Sequence, residues 1–433
     1  MEKMTDILSD VTVFTDGRWQ DHRDIHITDG IVTGIHPSVS RGDVTRHVIP
    51  GFVNTHTHLQ QSLMRGMAEN TGLLEWLRLI GTETVQITPE RAYLATVAAS
   101  LELLRSGTTT VVEHMWPTPS SAVHEAVIRG LNDTGIRAVL GRGIADRADA
   151  SRRWGFEPAL LSPIDDVLAH VAGLIELTAD SRISPALAVP NPRSITKEGL
   201  AATRAFAESH AVPVMIHLLE TITDDVMCHE HLGMSAVKFL EAADFLWPQL
   251  LAVHCVELDS YGQDILAERG VAVAYNPVCN MRLGSGVAPV VSMMERGIKV
   301  GLGVDGAASN DTQDMFQAFR IGAYLQRVAN KRADILTFPE MIDIACGGAN
   351  ENLGLPAVVG GVSVGAPADL TVIQFDRDYA TLPVRDPGAM ILTAGSAAIV
   401  DRVLVDGEVV YRDGKSTRVD EEELIEGLSR LTT

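Results

Sequence analysis

Eight short β-branched runs, each bounded by turn residues and most of them separated by a helical pattern, constrain the fold of this chain more than any other feature. They cover residues 51–55, 108–113, 137–141, 183–189, 212–217, 250–254, 271–275 and 299–304. The stretch 89–106 between the first two shows the helical style, with Thr88 to cap it and Gly107 to stop it. Strands alternating with helices imply a parallel sheet, and eight such units predict a (β/α)8 barrel over residues 51–365. The flanks follow another pattern. Residues 7–49 are alternating strands with turns at Asp16-Gly17 and Asp29-Gly30. The C-terminal part repeats that style at 368–375, 401–405 and 408–411, with turns at Asp406-Gly407 and Asp413-Gly414, before a polar helical pattern at 421–431. Both ends, 1–50 and 366–433, are expected to pair into one composite β-sandwich beside the barrel.

Barrel enzymes carry their chemistry at the carboxyl ends of the strands, and here those positions are polar almost throughout. The first strand delivers His56 and His58, two residues apart and therefore on one face. The second delivers Glu113 and His114, the third Arg142, the fourth Asn191, the fifth His217 with Glu220, the sixth His254, the seventh Asn276 with Asn280, and the eighth Asp305. One such residue alone would read as a satisfied polar group in the core, but eight coincidences are hard to explain structurally. Three neutral imidazoles and a carboxylate suit Zn²⁺, with Fe²⁺ as the alternative, better than Mg²⁺ or Ca²⁺. His56, His58, His217 and Asp305 are therefore assigned as ligands of one divalent ion that leaves room for a water made acidic at neutral pH. Asp305 could also take a proton from that water. Glu220 at the rim could protonate a ring nitrogen of a substrate, and His254 could polarise the attacked centre.

Several features narrow the reading further. The fourth strand ends in Ala188-Val189-Pro190-Asn191 with no lysine to bridge a second ion, which favours a single-ion site. The zinc-deaminase pattern of His-x-Glu with Pro-Cys-x-x-Cys is missing. His22, His26, His36 and His47 fall in the β-rich flank and are expected at the surface. His229 and His231 are expected to be solvated, and His124, His170 and His210 receive no role. A net charge of −21 disfavours nucleic acid and anionic membranes as partners. No stretch approaches the roughly 18 apolar residues of a membrane span. The N-terminal Met1-Glu2-Lys3-Met4-Thr5-Asp6 has no basic region followed by an apolar segment, and the four scattered cysteines make no Cys-x-x-Cys pair. A cytoplasmic protein with reduced thiols is the expectation.

These pieces together resemble the amidohydrolase superfamily over nearly the whole chain, and within it the branch of triazine hydrolases and purine or pterin deaminases. The resemblance rests on the segments 50–58, Gly107-Thr108-Thr109-Thr110, His217-Leu218-Leu219-Glu220, Val253-His254-Cys255, 280–289 and 303–311. It implies the ligand roles given above and a reaction in which hydroxide adds to a ring carbon and expels ammonia, an amine or chloride. The runs 280–283 and 304–311 look most like 8-oxoguanine deaminases and hydroxyatrazine ethylaminohydrolases. The run 58–66 and Trp76 look more like adenosine-type deaminases and atrazine chlorohydrolase. A hydrolytic deaminase of an aminated purine, pterin or triazine is expected, with a triazine chlorohydrolase or alkylaminohydrolase as the alternative and an inactive scaffold as a third reading. Gln61, Trp76, Glu113, Arg142, Asn191 and Ser309 are the expected pocket residues for a small heteroaromatic substrate. Homodimers are usual among look-alike enzymes.

Overall fold

The computed structural model describes residues 5–40 and 45–431. Residues 1–4, 41–44 and 432–433 lie outside them, and with them the first part of the polar N-terminal run and parts of the expected terminal domain. Two eight-stranded sheets organise the described chain. The first is assembled from both termini: β1 (Thr5–Thr15), β2 (Arg18–Thr28), β3 (Ile31–Pro37) and β4 (Arg46–Pro50), with β13 (Leu370–Gln374), β14 (Val400–Val405), β15 (Glu408–Arg412) and β16 (Lys415–Ser416). Its order is β16-β15-β14-β13-β4-β1-β2-β3. The two termini meet where β4 runs antiparallel to β13, with Val48 opposite Val372. Val11, Ile25 and Val32 from one half share an apolar core with Leu370, Val372 and Leu404 from the other. The sheet thus folds over its own centre.

The second sheet holds β5 (Phe52–Thr57), β6 (Thr108–His114), β7 (Arg137–Gly143), β8 (Ile183–Val189), β9 (Val214–Leu218), β10 (Leu250–His254), β11 (Ala272–Tyr275) and β12 (Val300–Leu302), parallel and in sequence order. Helices lie between most successive strands, as in Pro89–Arg105, where the Thr88 hydroxyl accepts the Arg91 N–H and Gly107 at φ +83° follows the helix. Strand β9 starts at Val214, two residues later than the sequence suggests, because Pro213 has no N–H to give a ladder. Strand β12 is shorter than expected for a different reason. The Val304 N–H turns to Asn54 Oδ1 (3.1 Å) and the Asp305 N–H to the His56 carbonyl (2.9 Å), which ties the last strand to the first and closes the barrel. Inside it lie apolar side chains, among them Val112, Val139, Ala188, Met215, Leu251 and Val253.

Among the described residues no helix is long and apolar enough to cross a membrane, and all four cysteines are free and buried. His47 corrects one expectation. Its ring is half-buried between Trp19 (5.7 Å between centroids) and Phe375 (4.8 Å), since β4 is an interior strand of the terminal sheet. Burial lowers its pKa to about 4. His229 and His231 are exposed on their helix, as expected.

Candidate metal centre and active site

The strand ends converge at the carboxyl rim of the barrel. His56 and His58 leave β5 on one face, and their rings lie 4.9 Å and 5.3 Å from that of His217 on β9. Ligand atoms from these three lie within 4.8 Å of one another, and so do atoms from His56, His254 and Asp305. Asp305 Oδ1 stands 3.5 Å from the Nε2 atoms of both His56 and His58, too far for good hydrogen bonds. Both its backbone and its carboxylate are held: the carbonyl accepts from Gln313 Nε2 at 2.9 Å, and the Gly306 N–H donates to Oδ1 at 2.6 Å.

The donors fit a divalent ion. Both ring nitrogens of His56 and Nδ1 of His217 are buried with no hydrogen-bond partner, an arrangement proteins rarely leave unsatisfied. His58 Nδ1 lies 2.6 Å from the His114 carbonyl. That contact places the proton on Nδ1 and leaves Nε2 as a lone pair facing the cluster. Burial pushes the pKa of His58 down to about 4 and that of His217 well below the usual range, so both rings are neutral donors. Burial alone would raise the Asp305 carboxyl, but the surrounding imidazoles hold it well below the ordinary value. Nitrogen and carboxylate donors of this kind suit Zn²⁺ or Fe²⁺.

Glu220 and His254 face each other across 3.7 Å, and His254 Nε2 lies 3.8 Å from Asp305 Oδ2. Burial, with Asp305 and Asp224 nearby, lifts the Glu220 pKa well above the usual carboxylate value despite the opposing Arg193. These surroundings favour the protonated form of Glu220. The Asn280 amide nitrogen donates to His254 Nδ1 at 3.0 Å, which leaves the proton of the neutral ring on Nε2, directed at the site. His254 at φ +74° and Asp305 at φ +64° both sit in the left-handed region, conformations that cost about 1–3 kcal/mol each and mark functional rims.

Beside this cluster lies a pocket walled by aromatic and polar side chains. Trp76, Asn191 and Ser309 line it, together with Trp116, Arg152 and Phe156, which the sequence reading did not single out. The Trp76 indole is fixed by a 3.0 Å bond from its N–H to the Ala308 carbonyl. Asn191 Oδ1 caps the turn at Pro192–Ser194, and the Ser309 hydroxyl donates to the Gly306 carbonyl. The other three expected pocket residues are not on its wall. Gln61 is buried against Gly306, where a Cβ would lie 2.0 Å from its Oε1. Glu113 accepts the Leu59 N–H at 2.7 Å, and burial raises its pKa to about 8. Arg142 points away to the Gly143 and Thr118 carbonyls (2.7 and 2.6 Å).

Two arginines on the pocket wall differ sharply. Arg193 Nη1 pairs with Asp224 Oδ1 at 2.8 Å, and Asp224 Oδ2 accepts the Thr221 N–H next to Glu220. The Arg152 guanidinium stacks 4.0 Å from the Phe156 ring centre and 5.0 Å from Trp116, and its buried Nη1 has no partner. Glycine at residue 81 gives that nitrogen room, since a Cβ there would stand 2.7 Å away. His114 also belongs to the cluster, its ring 4.3 Å from His217 and its Nε2 3.1 Å from the Val189 carbonyl. Cys279 lies next to Glu220 and His254.

Barrel, ligand cluster and enclosed pocket together are those of a hydrolase with a metal centre at the strand ends. The chain belongs to the amidohydrolase family, whose profile matches residues 47–410. It is 32% identical over 408 residues to the 5'-deoxyadenosine deaminase of Methanothermobacter thermautotrophicus, covering 92% of each chain. It is 33% identical to the 5-methylthioadenosine/S-adenosylhomocysteine deaminase of Thermodesulfovibrio yellowstonii, over 88% of this chain and 83% of that one. The zinc-bound atrazine chlorohydrolase of Arthrobacter aurescens TC1 has the same fold, with TM-score 0.90, 24% identity and coverage of 99% and 100%.

Proposed function

We propose that this chain is a metal-dependent hydrolase of carbon–nitrogen bonds in cyclic amidines, and that it deaminates an aminated N-heterocycle of the purine class. The observation that carries this reading is a pair of buried carboxyl groups on either side of His254, Glu220 at 3.7 Å and Asp305 at 3.8 Å, whose surroundings favour the acid form of the first and the ionised form of the second. Environments that drive two carboxyls apart in this way assign one as acid and the other as base. The two relatives above, named as deaminases of adenosine-type compounds, support a purine over a triazine.

His56, His58, His217 and Asp305 would hold one divalent ion, for which Zn²⁺ is the choice. Bound there, it supplies Lewis acidity that makes a water molecule acidic near neutral pH. The protein's own groups do the rest. Trp76 and Trp116 give the flat ring an aromatic wall. Glu220 gives its proton to a ring nitrogen, which makes the neighbouring carbon electrophilic. Asp305 takes a proton from water as oxygen adds to that carbon, and the Nε2–H of His254 stabilises the charge on the oxygen. Asp305 then returns its proton to the departing amine and the second proton of the added oxygen restores Glu220, so water and an amino-heterocycle become ammonia and the oxo-heterocycle.

A panel of adenine nucleosides, aminated purines, pterins and triazines tests the proposal by ammonia release, with and without a chelator. Ammonia from one or more purines, abolished by chelation and restored by Zn²⁺, is expected. A metal-loaded preparation that releases chloride or an alkylamine from triazines, and no ammonia from any purine, would overturn it.

A further inference from the structure

Glu220, His254 and Cys279 form a second buried donor cluster, beside Asp305, whose ligand atoms all lie within 4.8 Å of one another. We propose that this cluster is an inhibitory site for a second Zn²⁺ ion. Imidazole, thiolate and carboxylate form an ordinary zinc donor set. Asp305 presents one oxygen to each side, Oδ1 toward His56 and His58 and Oδ2 toward His254. It can therefore stand between two ions without the strand-end lysine this chain lacks.

The surroundings allow both ligands to change form. Asn280 Oδ1 and Asn276 Oδ1 are buried and unpartnered. If the Asn280 amide turns, its oxygen accepts a proton on His254 Nδ1 and frees the Nε2 lone pair for the ion. Cys279 and Glu220 each lose a proton to solvent as the ion binds. Occupancy ties up Glu220 and His254, the two groups that handle protons and charge in the proposed reaction, and so stops turnover.

The inference rests on His56, His58, His217 and Asp305 holding the first ion, and two variants separate the readings. Holoenzyme carrying one ion is titrated with Zn²⁺ for activity, and with Co²⁺ for ions bound per chain and for a thiolate-to-cobalt charge-transfer band. Progressive inhibition, a second ion and the band are expected. Cys279→Ser should keep basal activity, bind one ion, lose the band and need about 10-fold more Zn²⁺ or more for half inhibition, since even outer-shell changes cost roughly 10–100-fold in affinity. A wild-type chain that binds one ion only, or a C279S variant inhibited like wild type, overturns the second site. Cys279→Ala guards against a serine that still coordinates. His217→Asn addresses the first ion separately: if that ion remains, the ligand assignment fails while the C279S comparison still decides the second site.

Discussion

The seam between the two sheets and the rim of the barrel treat their polar groups in opposite ways. At the seam, Arg137 at the start of β7 gives its Nε to Asp369 at 2.8 Å and also pairs with Asp406, whose own N–H donates to Asp369. Arg182 adds bonds to Asp406 and Glu408, so that charges from barrel and terminal sheet answer one another. At the rim, His56, Gln61, His217, Asn276, Asn280 and Arg152 all keep buried polar atoms with no partner. Groups satisfied by the protein itself bind the two sheets together. Groups left unsatisfied lower stability and are available to an ion or a ligand.

Replacing a rim group should therefore damage chemistry, and replacing a seam group should damage the fold. Glu220→Gln gives the largest effect. It removes the proton and keeps the shape, and kcat/KM should fall about 10²–10⁴-fold with little change in melting temperature. A loss below about 10-fold would mean that another group supplies the proton. Arg137→Met should do the reverse: it leaves Asp369 and Asp406 without their main cation in a partly buried seam. A loss of about 2–3 kcal/mol is expected from denaturant melts, with kcat of the folded enzyme unchanged. An unchanged midpoint would show that solvent already screens the pair.

Side-chain parity explains which parts of the rim the sequence disclosed. Alternate residues of a strand face opposite sides, and Val112, Val139, Met215, Leu251 and Val253 face the barrel interior. His114 shares the parity of Val112, and His217 that of Met215, so both point inward. Glu113 and Arg142 have the other parity and turn to a loop N–H and to loop carbonyls. Counting parity would have replaced Glu113 by His114 among the site residues. It fails for His254, which the parity of Val253 would send outward. The positive φ at His254 turns the chain at that point, and nothing in the residue type records it. Arg152, Phe156 and Trp116 were missed because the first two lie in a loop without periodicity, and Trp116 lies beyond its strand. The two sheets themselves were legible because turn pairs and β-branched runs are local signals.

His47 probes the seam side of the contrast through pH. Its folded-state pKa is about 4, below the ordinary 6.5, because its ring is buried. The unfolded chain therefore takes up the proton first as pH falls. The stability this neutral ring allows is fully present above pH 6.5, declines between about 6.5 and 4, and changes no further below that. Over this window the protein should lose up to about 3 kcal/mol through His47 alone. His47→Phe should flatten that part of the curve relative to wild type, measured by urea melts at a series of pH values. Equal slopes for the two proteins would place the acid sensitivity elsewhere.

The smallest expected effect is the most pointed test of the contrast, because its sign differs from the usual. Arg152 is a buried cation whose Nη1 has no hydrogen-bond partner among the described residues, stacked on Phe156 and Trp116 at the pocket wall, and burial lowers its pKa to about 10. Such a charge costs folding energy that its ring contacts offset only in part. Arg152→Met keeps the apolar stem against the rings and removes the charge. The variant should be more stable by about 1 kcal/mol and should bind substrate more weakly, with KM raised and kcat little changed. If it melts earlier than wild type, Arg152 belongs with the seam arginines and the division between the two regions fails at that residue. If it melts later and KM is unchanged, the charge has no ligand partner in the tested substrate, and that substrate lacks the acceptor group this wall is built to meet.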